Sequence, residues 1–204
     1  MRIAAVLVPL LGPVLLWGGS VSVLGAQIPG APVLQNGFIT PGLIVAADAA
    51  VGWNHGLAAA AASYAPNSRS VALSAAAGAG FPDGPAFAYG VRATLPIPVF
   101  PRRGALGVVG FVGIGGLFGP TTVTDIPIGA GIGYRHALGE SGGISVYATP
   151  FYLIQRSGGN EGSFRTGLGT DVTVTPRMGV TFGADAGTRG APRFGAGIAY
   201  LISH

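Results

Sequence analysis

The chain of 204 residues has no cysteine and no lysine, and only 9% of its residues are charged. Without cysteine there are no disulfides, thiolate metal ligands, cysteine nucleophiles or lipidated cysteine anchors. All 11 basic residues are arginine, set against 7 acidic residues, for a formal net charge of +4. They form no run longer than Arg102-Arg103. The clustered basic footprint of a nucleic-acid binder is therefore missing, and no nucleic-acid partner is expected. Beyond the first segment, no apolar run approaches the roughly 20 residues of a membrane helix. Yet 49% of residues are hydrophobic, so the chain escapes the low-hydrophobicity signature of disorder despite 37 glycines and 16 prolines. An apolar chain without long apolar runs must carry its hydrophobic residues in short periodic blocks.

The first segment has the layout of an export signal. Arg2 gives a positive start, Ile3 to Trp17 is almost wholly apolar, and Gly18 to Ala26 supplies small residues for cleavage. Pro9 and Pro13 interrupt the apolar stretch, which disfavours a permanent membrane helix. The expected organisation is a signal peptide over 1–26, a short N-terminal segment over 27–41 and one structural domain over 42–204.

From Gly42 onward the apolar period is two. Phe87, Tyr89, Val91, Ala93 and Leu95 alternate with Ala88, Gly90, Arg92 and Thr94; Ile126, Ile128, Ala130, Ile132 and Tyr134 alternate with a proline, three glycines and Arg135. The same pattern runs through Phe164–Val174, Met178–Ala186 and Phe194–Ile202. Successive strand side chains point to opposite faces, so each run has one bulky apolar face and one small or polar face. Gly- and Pro-rich separators between the runs predict ten strands, near 42–53, 57–64, 68–79, 86–95, 105–117, 122–135, 144–155, 163–174, 177–187 and 191–202. The Ala58–Ala62 run could instead form a helical turn, because alanine is the best helix former; that would leave eight strands.

The charges choose one face. Asp48, Arg92, Asp125, Arg135, Arg165, Asp171, Asp185 and Arg193 all lie opposite the bulky residues, among glycine, alanine, serine and threonine. A water-facing surface usually carries about 25–35% charged residues, whereas the inside of a small closed barrel needs small residues and a few paired charges. The bulky face would then meet lipid, where a charge near the midplane costs about 2–4 kcal/mol. The runs also suit a membrane-crossing strand of about 9–11 residues, and a spanning sheet must close to satisfy its backbone. The fold class expected is all-β, a closed antiparallel transmembrane β-barrel. An even strand number would place both ends of the barrel on one side of the membrane. Aromatics near strand ends (Trp53, Phe87, Tyr134, Tyr152, Phe164, Phe194, Tyr200) suit interfacial girdles.

On these features, the chain resembles the small outer-membrane β-barrel proteins of Gram-negative bacteria over roughly 42–204. The resemblance rests on the signal peptide, the period-two repeat, the turn Thr173-Val174-Thr175-Pro176-Arg177-Met178-Gly179-Val180 and the last strand, Arg193 to His204. It implies a bacterial outer-membrane location, lipid contact, and insertion by the barrel-assembly machinery through the C-terminal strand. Such families usually end in an aromatic residue; here His204 is terminal, with Tyr200 and Ile202 in the same parity. Pro127 and Pro150 fall within strands, where each deletes a ladder donor that a bulge could absorb.

Candidate chemistry is sparse. His55, His136 and His204 lack metal-ligand partners at familiar spacings and read as solvated turn or end residues, so no metal is expected. A rim hydrolase would need His55 beside Asp48, most of a strand away, so no enzymatic activity is expected. The glycine-rich Gly107–Gly119 stretch matches neither GxGxxG nor the lysine-bearing phosphate loop, and no cofactor is expected. The eight inward charges are the informative polar set, expected to pair as Asp–Arg across the lumen because a buried unpaired charge is costly. They would form a structural network filling a narrow interior or, alternatively, a constriction selecting small solutes. The function expected is a structural outer-membrane barrel or a narrow passive pore. The alternatives are a soluble exported barrel or sandwich binding an apolar ligand, with the bulky face turned inward, and the rim hydrolase.

Overall fold

A computed structural model describes residues 28–52, 55–80, 84–99, 105–120, 122–138 and 142–203, except for the His55 side chain. The signal segment, Trp53 and His204 lie outside the described residues.

Alternating side chains commit the chain to strands, and the described residues form ten: β1 (Gly42–Gly52), β2 (His55–Ala65), β3 (Ala72–Gly80), β4 (Ala86–Pro96), β5 (Leu106–Phe118), β6 (Val123–Leu138), β7 (Gly142–Arg156), β8 (Asn160–Thr175), β9 (Met178–Gly187) and β10 (Arg193–Ser203). Each pairs antiparallel with its neighbours in sequence, and β10 pairs with β1 to close the barrel. Closure leaves no sheet edge to solvate. One rim, the hairpin rim, carries the β1–β2, β3–β4, β5–β6, β7–β8 and β9–β10 connections. The opposite, terminal rim carries the other turns, the start of β1 and the end of β10.

The alanine run belongs to β2, not to a helix: Ala58 to Ala62 pair in continuous register with β1 and β3. A closed sheet supplies partners on both sides, and these outweigh alanine's helical preference. β3 starts at Ala72 rather than near residue 68, because the Asn67 side chain accepts from the Arg69 amide at 2.8 Å and its carbonyl from the Ser70 amide at 3.2 Å. Those bonds hold a turn where the strand was expected. His55 opens β2 instead of sitting in a turn.

Neither proline makes a bulge. The β5–β6 pairing lacks Gly113↔Pro127 and its neighbour, and β6–β7 lacks Ala130↔Pro150 and its neighbour, but both resume in the same register. Each proline removes one donor without shifting the strands. The irregularities fall elsewhere, at Leu43/Ile44 and Thr173/Thr175.

The bulky face points outward all round. Phe87, Ile128 and Phe182 are 56%, 50% and 55% exposed, while Arg92 and Asp171 on the opposite face are 2% and 1% exposed. Outer aromatics gather toward the rims. Tyr89 stacks on Phe118 with ring centroids 5.4 Å apart, and Tyr152 and Phe164 lie 6.3 Å apart toward the hairpin rim. Tyr64, Tyr134 and Tyr200 stand toward the terminal rim.

Candidate functional site in the lumen

The interior is filled by the chain itself. The segment over 28–41, for which the sequence suggested no role, runs through the lumen. Val33, Leu34 and Asn36 are each at most 1% exposed. The wall satisfies its backbone one group at a time. The Val33 amide donates to Asp185 Oδ2 at 2.7 Å, the Leu34 carbonyl accepts from Arg92 Nη1 at 3.1 Å, and the Gln35 amide donates to Thr149 Oγ1 at 3.0 Å. Thr149 Oγ1 in turn donates to the Gln35 carbonyl at 3.2 Å. A single irregular segment in a confined space has no ladder of its own, so these wall groups replace one.

Side chains lock the segment in place. Asn36 Nδ2 donates to Asp171 Oδ2 at 2.6 Å and to Ser145 Oγ at 2.9 Å. Gln35 Oε1 accepts from Arg92 and from Thr94 Oγ1. Phe38 lies under the Arg135 guanidinium, 4.1 Å from ring centroid to Cζ. Val33 packs with Phe111, Phe151 and Leu153, and Leu34 with Tyr147. The wall is cut to fit: a Cβ on Gly107 would run into the Gly37 carbonyl, on Gly131 into that of Gln35, on Gly167 into that of Val33, and on Gly183 into the Leu34 side chain. These inward glycines let the segment's backbone approach the wall more closely than any side chain would permit.

The eight charges divide into two groups. Toward the hairpin rim, Asp185 receives Arg165 Nη2 at 2.6 Å and Arg193 Nη2 at 2.7 Å, and Arg193 Nη1 lies 3.7 Å from Asp125. Gln155 Nε2 donates to Asp125 Oδ1 at 2.9 Å. This quartet is an ion-pair network across β6, β8, β9 and β10. The second group works differently. Asp171 accepts from Asn36, from Thr181 Oγ1 at 2.6 Å and from the Tyr147 hydroxyl at 3.2 Å. Arg92 and Arg135 also reach the segment: Arg92 holds Leu34 and Gln35, and Arg135 covers Phe38. Asp48 also faces the interior, with Oδ1 outside any hydrogen bond. In the second group the segment adds partners that strand parity does not reveal.

The closed antiparallel wall can be compared with solved structures. The chain is similar to the crystallised β domain of the Bordetella autotransporter BrkA, at 13% identity and a TM-score of 0.52, over 78% of this chain and 98% of that one. The fold is that of bacterial outer-membrane β-barrels. Looser likenesses include the KdgM porin in complex with disordered oligogalacturonate (7% identity, TM-score 0.44, 78% and 99% of the chains). Another is Acinetobacter baumannii outer membrane protein Omp33 (12%, 0.42, 82% and 100%). No protein-family model matches the chain, and no curated protein matches it in sequence.

Proposed function

We propose that this chain is a bacterial outer-membrane β-barrel whose lumen is stoppered by its own N-terminal segment, and that its role is structural rather than that of an open passive pore. The observation that carries this reading is the hydrogen-bonded passage of residues 33–36 through the interior. A small barrel has an interior only just wide enough for side chains, and a polypeptide there leaves no wide aqueous path. The outward ring of large apolar residues supports lipid contact, and Tyr200 and Ile202, outward on β10, suit a C-terminal strand read by the barrel-assembly machinery. A soluble barrel with an apolar interior would need Phe87, Ile128 and Phe182 turned inward, and they point out. The reading includes no catalysis; lipid or peptide cleavage that disappears in a His55→Ala variant would contradict it.

Planar-bilayer recording tests the reading directly. The full chain should insert without conductance steps. A Gly131→Val, Gly167→Val variant, whose added carbons meet the Gln35 and Val33 carbonyls, should show steps as the segment is forced off the wall. Steady conductance in the unaltered chain would instead establish the narrow pore.

A further inference from the structure

We infer that the N-terminal segment threads the barrel from rim to rim, so that the chain holds its N-terminal end across the membrane from its C-terminal end. This rests on the membrane-embedded reading above and adds a topology that strand parity does not contain.

The contacts follow the barrel axis in sequence order. Ile28 and Ala31 pack against Ala50, Leu57, Ala86 and Leu117, residues at the hairpin-rim ends of β1, β2, β4 and β5. Val33 then meets Asp185, near the hairpin-rim end of β9. Gln35 reaches Thr149 in the middle of β7, and Asn36 reaches Asp171 in the terminal half of β8. Phe38 lies against Arg135 and Gly107, at the terminal-rim ends of β6 and β5. Gly42 starts β1 there, its Cα face against the Ser203 carbonyl. Ile28 to Ala31 form a turn closed by the Ala31 amide on the Ile28 carbonyl, and the eight residues over 31–38 reach about 29 Å at most, enough to cross an apolar band about 25 Å tall. Residue 28 thus stands at the rim opposite Ser203. The Asp185, Thr149 and Asp171 contacts hold the segment in that path.

The absence of cysteine makes single-cysteine reporters clean. Three full-length variants would be expressed in a Gram-negative host: a cysteine inserted between Gln27 and Ile28, Gly158→Cys in the β7–β8 turn, and Arg177→Cys in the β8–β9 turn. Gly158 and Arg177 are exposed and lie at opposite rims. Intact cells would be treated with a maleimide on a polymer too large to cross the outer membrane, and detergent-lysed cells would show that all three sites react when accessible. The inserted cysteine should label as Gly158→Cys does and opposite to Arg177→Cys. Labelling that follows Arg177→Cys instead would overturn the threaded path while leaving the membrane reading intact. Equal labelling of all three on intact cells, together with extraction of the chain by alkaline carbonate, would overturn the membrane reading and the threading with it.

Discussion

At the scale of single residues, Asp185 carries the heaviest burden in the lumen. It accepts from Arg165, from Arg193 and from the Val33 amide, all buried. Removing one member of a buried ionic cluster leaves the partners' charges uncompensated, at about 3–5 kcal/mol. Asp185→Ala should therefore lower the urea midpoint for loss of the folded band on unboiled gels, and Asp185→Asn, which still accepts from Val33, should lower it less. On the outer wall the sign of a charge's effect depends on what surrounds it. Leu168, in the middle of β8, is 63% exposed. Leu168→Arg should cost about 2–4 kcal/mol in a bilayer, read as a loss of folded yield during refolding into vesicles. If the wall faced water, the same change would be close to neutral.

At the scale of elements, the ladder has two internal gaps whose cause is visible. Pro127 and Pro150 each lack the N–H that would complete a pair with the preceding strand, yet the register continues past both. Pro150 sits on the outer side of β7, so replacing it does not disturb the lumen. Pro150→Val should restore a donor toward Ala130 and raise the unfolding free energy extrapolated from urea titration by about 0.5–1.5 kcal/mol. A fall would mean that the proline ring itself packs better than a bonded strand. Much of the element layout was legible: the ten predicted strands and their turns recur within a few residues at most ends, because a period of two together with glycine and proline separators is a local signal. β3 was misplaced at its start because Asn67 captured two amides, Arg69 with its side chain and Ser70 with its backbone carbonyl, a detail decided by which hydrogen bonds form rather than by composition.

At the scale of the whole molecule, the barrel and its stopper form one unit. Hairpin-rim packing of Ile28 and terminal-rim packing of Phe38 bracket the wall from inside. The purified chain should require detergent, and unboiled samples should migrate differently from boiled ones because the closed sheet resists dodecyl sulfate. A chain that stays soluble without detergent and shows no mobility change would contradict the lipid-facing wall.

What the sequence by itself determined was the wall. Alternation chose strands, the parity of Phe87, Ile128 and Phe182 against Arg92 and Asp171 chose the two faces, and the need to satisfy every backbone group chose closure. Only the tertiary structure decided what the closed wall contains. Residues 28–41 have no repeating period, so nothing local marks them as ordered, and their partners Asp185, Thr149 and Asp171 lie more than a hundred residues away. A weak sign was present in the inward glycines at 107, 131, 133, 167 and 183, since an interior lined by hydrogen atoms cannot fill itself. Turning that deficit into a threaded polypeptide required the curvature of the closed sheet, which sets how much space remains and which atoms line it.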